Sequence, residues 1–175
     1  MKVDSFIIKT ALMSYFRFKR QWICVDEIHT GGGELADMVV DTGTDIREIE
    51  IKIDKYDLWK GEAKKCKHQR AAFRLINSFY LCVPTELVEE GLKWIEQVNP
   101  KYGLIEFNSK LLEEKGYRNW IHYLNFKKKA QCLNPTYKSM KEQIAKRLNS
   151  ALITQYERII SNKNSVHKTE ISNES

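Results

Sequence analysis

The sequence predicts an α/β protein with a central mixed sheet, an antiparallel meander continued by parallel strands, flanked by helices. Three observations carry that prediction. From Glu48 to Asp54 apolar and charged residues alternate strictly, the period of a strand with two unlike faces. Phe79 to Val83 is a continuous apolar run, and Tyr102 to Asn108 is a second strand-like stretch beyond an intervening helical segment. The chain also opens on an amphipathic helical pattern. At 175 residues, 42% hydrophobic and 30% charged, it is long enough for one domain with a sizeable core.

Asp4 or Ser5 is placed to cap a helix reaching about Arg20, with Phe6, Ile7, Ala11, Leu12, Tyr15 and Phe16 on its apolar face. Arg17, Lys19 and Arg20 fall in its last turn, where the helix dipole favours cations; a phosphate contact is the competing account. Gln21 to His29 reads as the first strand. The glycines at 31–33 form a turn, and because a strand follows them they do not make a phosphate cradle. Ala36 to Val40 is a second β run, and Asp41-Thr-Gly-Thr-Asp45 is the turn chemistry of a hairpin into the alternating strand. Asp54 to Asn77 is expected to be mostly helical, opened by Tyr56, Leu58 and Trp59.

The Phe79–Val83 strand stops at Pro84, and Thr85 is placed to cap a helix running to about Val98. Strand, helix, strand at this spacing implies a crossover and parallel pairing. Ser109 to Asn125 is expected to form a strand pair about Gly116. Asn134-Pro-Thr opens a C-terminal helix from about 134 to 160, and the polar residues 161–175 read as a disordered tail behind a single domain of residues 1–160.

No apolar run approaches the ~18–20 residues a bilayer span requires, and Met1 to Ser5 lacks a secretory signal pattern. Four scattered cysteines show no metal-ligand spacing. Cys24 and Cys82 fall in apolar strands as buried thiols, which suits the cytoplasm. The net charge is +6, and from Lys127 onward ten Lys/Arg face four Asp/Glu, so the basic excess lies at the C-terminal end. That asymmetry suits a polyanion, although it also serves solubility.

The hairpin carries the chemistry. Glu50 and Lys52 share one face of one strand, and Asp37 comes from its neighbour. Two carboxylates and an ammonium converging from paired strands suit a hard divalent ion such as Mg²⁺, a water and a phosphate. The bland alternative is that Glu50 and Lys52 mark a solvated strand face. Against it stands Asp37, which follows Leu35-Ala36 and precedes an apolar run where a strand enters the core.

Ala36-Asp37, a hairpin, then Glu50-Ile51-Lys52 resembles the PD-(D/E)xK signature of the restriction-endonuclease-like nucleases, with Ala in place of the Pro. Val25 to Asp37, with its glycine-rich turn, resembles the strand and turn before the aspartate in MmcB-like DNA-repair proteins. Lys67-His-Gln-Arg, Asn77 to Pro84 and Tyr102 to Phe107 resemble later elements of that group, so the likeness spans roughly residues 5–130. The resemblance implies a restriction-endonuclease-like fold and a Mg²⁺-dependent nuclease, Mn²⁺ substituting, acting on double-stranded or branched DNA in repair, defence or mobile-element biology. It implies that Asp37 and Glu50 hold the metal with the Ile51 carbonyl, and that Lys52 aligns the attacking water. Glu27 is implied as an additional acid, and Gln69 beside His68 as a water-positioning group. Lys60, Lys64, Lys65, Lys67 and Arg70 would flank the cleft. A homodimer is compatible with this reading. The alternative is an inactive DNA-binding or partner-binding module on the same fold.

Overall fold

The structure is a computed structural model that describes residues 3–30, 35–62, 68, 75–115 and 120–173, with the backbone alone at 115, 120 and 162–173. The chain divides into two units, residues 1–141 and 142–175. In the first, six strands run in the order β1 (Ile23–His29), β2 (Leu35–Asp41), β3 (Ile46–Ile51), β4 (Ser78–Pro84), β5 (Gly103–Phe107) and β6 (Leu124–Lys128). β1 to β3 form the antiparallel meander, β3 to β5 pair in parallel, and β6 returns antiparallel to β5. The mixed sheet flanked by helices is the architecture the sequence implied.

Helix α1 (Ser5–Ser14) begins where Asp4 accepts the Ile7 N–H at 2.8 Å, and it buries Ile7, Ile8, Ala11 and Leu12. It does not run unbroken to Arg20. A π-helical turn over Tyr15–Lys19 takes over, with Tyr15 and Phe16 both turned into the core. These side chains cover one sheet face, formed by Cys24, Met38, Val40, Ile49, Ile51, Tyr80 and Cys82. Helix α2 (Val88–Val98) covers the other face. It comes so close at Gly91 that a Cβ there would touch Leu104 and Leu81. β4 is buried along its whole length, as its unbroken apolar run requires.

Several expectations need correction. Thr85 does not cap α2; its hydroxyl donates to the Phe107 carbonyl, and a 3₁₀ turn over Thr85–Leu87 leads into the helix. Ser109–Lys115 is helix α3 and not a strand, because the Asn108 side chain accepts the Leu111 N–H and good helix formers follow. Of the rest of that stretch, residues 116–119, Gly116 among them, lie outside the described residues, and its last two residues open β6, an edge strand with Asn125, Phe126 and Lys127 exposed.

The C-terminal helix α4 spans Lys141–Asn173, starting later than Asn134 and continuing past residue 160. Its late start has a physical cause. Asn77 donates to the carbonyls of Asn134 and Thr136, while the buried Asp41 accepts from Tyr137, Ser139 and the Met140 N–H. Those bonds hold 134–140 outside the helix. The helix persists in place of the expected disordered tail, and residues 161–173 contain neither Gly nor Pro to end it. Among the described residues no helix is long and apolar enough to cross a membrane. Cys24 and Cys82 are buried and not disulfide-bonded, and desolvation pushes the Cys24 thiol up to about 11.

Candidate active site

The hairpin sets Asp37 against Glu50. Met38 pairs with Ile49, so the next step along the antiparallel pair puts Asp37 across from Glu50, on one face. Asp37 is tied down there, because its Oδ2 accepts the Ile51 N–H at 2.8 Å. Lys52 joins from the same side, one residue past the end of β3. Its Nζ lies 2.9 Å from Glu50 Oε1, 3.2 Å from Asp57 Oδ2 and 3.2 Å from Glu62 Oε2.

This face is not wet. Glu50 is 1% exposed, Lys52 6% and Glu62 0%, and Glu48 is buried too, accepting from Thr30 at 2.7 Å. Desolvation pushes the Lys52 pKa down, but the charges of Glu50, Glu62 and Asp37 outweigh it and lift the value above the ordinary 10.5. Lys52 is therefore an ammonium at neutral pH. It can donate hydrogen bonds and positive charge; it cannot take a proton from water.

Behind Lys52 the polar contacts continue inward. Glu62 Oε1 lies 2.8 Å from His68 Nε2, and His68 Nδ1 lies 3.0 Å from the Tyr102 hydroxyl. A neutral imidazole donating from Nε2 to the carboxylate accepts the Tyr102 proton at Nδ1, so one tautomer fits both contacts. The rings of Phe79 and Trp94 pack edge-on against the imidazole. His68, its side chain 4% exposed, links an acid and a phenol and is not a surface residue.

Asp37, Glu50, Ile51 and Lys52 thus come together as expected. Glu27 takes another course. It adopts a left-handed φ of +51°, drops out of the β1–β2 pairing register, and meets Lys9 of α1 at 3.1 Å. Among the described residues no group of three or more His, Cys, Asp or Glu side chains is arranged to hold a metal ion. Gln69 lies outside the described residues, as do Lys64, Lys65, Lys67 and Arg70; Lys60 lies over the Tyr56 ring. Of the C-terminal cations, Lys127, Lys128 and Lys146 are paired with Glu106, Glu96 and Glu142.

Sequence reasoning missed Asp57, Glu62 and Tyr102. Asp57 opens a π-helical turn over Asp57–Gly61, with Asp54 accepting its N–H at 2.7 Å. The Asp54-x-x-Asp57 spacing was the one legible signal. Glu62 sits in a charged stretch where an acid reads as surface.

The fold and this face define an α/β protein carrying a buried charge cluster on the last strand of its meander, β3. No family model matches the chain, and no curated protein does. Among solved structures the chain is similar to a protein of unknown function from Silicibacter pomeroyi, with a TM-score of 0.55 and 12% identity over 87% of this chain and 88% of that one. At that identity the likeness concerns the fold alone.

Proposed function

We propose that this protein is a metal-dependent nuclease of the restriction-endonuclease-like class, hydrolysing DNA phosphodiester bonds. The observation that carries the reading is the buried, protonated Lys52, fixed beside Glu50 and across the hairpin from Asp37 in the PD-(D/E)xK order. Charges removed from water cost several kcal/mol each (about that order), and such clusters concentrate at functional sites.

Two carboxylates beside a main-chain carbonyl fit Mg²⁺, which takes one or two protein carboxylates and keeps its waters. Asp37, Glu50 and the Ile51 carbonyl would hold it, and Mn²⁺ would substitute. A cation bound there would polarise a phosphoryl oxygen and acidify a nearby water.

Hydrolysis joins the water oxygen to phosphorus, and the ester oxygen leaves with a proton. Negative charge builds on the phosphoryl oxygens on the way, and Lys52 supplies fixed positive charge to meet it. Its ammonium has three N–H bonds and faces three carboxylates, so reaching a phosphate requires one acid to withdraw. Asp57 is the one to go: it is 48% exposed, and its release strands no buried charge. Glu62, held by His68, keeps the ammonium in place from behind.

The test incubates pure protein with supercoiled, linear, single-stranded and branched DNA, with and without Mg²⁺ or Mn²⁺. Cleavage is expected only with metal, and Asp37→Asn should slow it by at least about a hundredfold, the scale of losing one electrostatic element of such a site. DNA binding with no cutting of any substrate would hand the fold to the binding-module reading.

A further inference from the structure

On the opposite sheet face, away from Glu50, lies a cavity of about 230 Å³ lined by Arg20, Trp22, Arg47, Tyr80, Phe126 and Lys129. Arg47 and Tyr80 belong to the face that carries Ile49 and Ile51, so the sheet separates this cavity from the charge cluster. Its lining is three cations and three aromatic rings. The Arg47 guanidinium lies 4.6 Å from the Trp22 ring centre, Trp22 is stacked on Phe16, and Arg20 lies 5.6 Å from the same Trp22 ring. Phe126, on the edge strand, meets Tyr80 edge-on and is 39% exposed.

The cations here are underused. Arg47 donates its Nε to Asp45, and Arg20 donates its Nε to the Tyr15 hydroxyl. Among the described residues neither Arg20 nor Lys129 has a carboxylate partner. Three positive charges therefore face one acid. The floor is built with care: Tyr80 stands across from Gly103, where any Cβ would collide with its ring and come within 2.7 Å of the Ala130 nitrogen. The absence of a side chain on β5 lets the tyrosine lie there.

We infer that this cavity holds one nucleotide of single-stranded nucleic acid. Aromatic faces and guanidinium planes stack a base without regard to its identity, and cations beside them take the backbone phosphate. The volume is below the roughly 300 Å³ at which sites for larger ligands begin, which suits one ring system. The base packs against Phe126 and the Arg47–Trp22 stack; Arg20 and Lys129 take the phosphates on either side. Arg20, among the cations after the first helix, thereby gains a role beyond the helix dipole. The inference stands on this cavity alone and requires no cleavage.

The experiment is fluorescence anisotropy with a labelled oligothymidylate ten-mer and the full chain, in EDTA so that no metal-dependent cutting intervenes. The wild type should bind it. Phe126→Ala should weaken binding about tenfold, in line with the loss of one base–aromatic stack, and Phe126→Trp should restore it. Lys129→Gln should weaken binding and reduce the magnitude of the log–log salt slope by about 0.7, the single-strand value for one phosphate contact. An abasic ten-mer should bind the wild type no better than the thymidylate binds Phe126→Ala. Phe126 and Lys129 are surface positions, so both variants should fold, as near-UV circular dichroism will report. Equal affinity of wild type and Phe126→Ala, or of abasic and normal strands, overturns the inference. A thymidine monophosphate that binds as tightly as the ten-mer overturns the assignment to a polymer. Loss of cleavage with retained ten-mer binding would remove the nuclease reading and leave this one standing.

Discussion

From Glu48 to Lys52 the two sides of β3 are buried to about the same degree and have opposite chemistry. Ile49 and Ile51 lie against α1, while Glu48 and Glu50, with Lys52 just beyond the strand, face the other way, and none is more than 6% exposed. On the apolar face burial is itself stabilising, by about 1.5–3 kcal/mol per large side chain. On the charged face burial costs free energy that only close partners offset, and these are present at 2.7–3.2 Å. Exclusion from water therefore says nothing by itself about what a face is for. The apolar face packs the sheet against α1, and the charged one is held by ion pairs between buried groups.

The sharpest way to break the contrast is Lys52→Met, which keeps bulk and removes charge. Glu50 and Glu62 would then be buried without their ammonium, a loss of about 3–5 kcal/mol in urea unfolding, with cleavage down by at least about a hundredfold. The same variant reads the pH dependence. Because the folded pKa of Lys52 is raised, its contribution is complete below about 10.5 and is lost as pH climbs through the higher folded value. Wild-type stability should therefore fall more steeply than that of Lys52→Met above pH 10.5, and parallel profiles would contradict the ion-pair account.

Ile49→Val tests the apolar face. It should cost about 0.5–1.5 kcal/mol, the usual range for one buried methylene, and leave cleavage per folded molecule unchanged. A large catalytic defect would mean that the two faces are not independent. The smallest effect belongs to Asp57→Asn. Removing the exposed acid that competes for Lys52 should lower KM a few-fold with stability within about 0.5 kcal/mol of wild type, as surface substitutions usually are. A raised KM would make Asp57 a binding group and not a competitor.

Local patterns proved the most legible. Strand alternation from Glu48 to Ile51, where β3 ends short of the expected Asp54, hairpin chemistry at 41–45, the Asp4 cap and the unbroken apolar run of β4 are all written in neighbouring residues, so they could be read without the fold. The convergence of Asp37, Glu50 and Lys52 followed from strand pairing alone. Long-range bonds were not legible. Asn134 looked like a helix start because its competing partner, Asn77, is 57 positions away. Asp41 looked like a turn residue although it anchors residues 137–140.

What the sequence alone determined is where each side chain points along its own strand or helix, because that period is set by backbone geometry. What only the tertiary structure decided is which faces are closed off from water. Glu50 and Lys52 alternate as residues of a solvated strand would. They are buried because Glu62 and His68 come against them from the connection between β3 and β4, with α2 covering the same side of the sheet. No local pattern encodes that cover, since burial depends on elements brought together from distant parts of the chain.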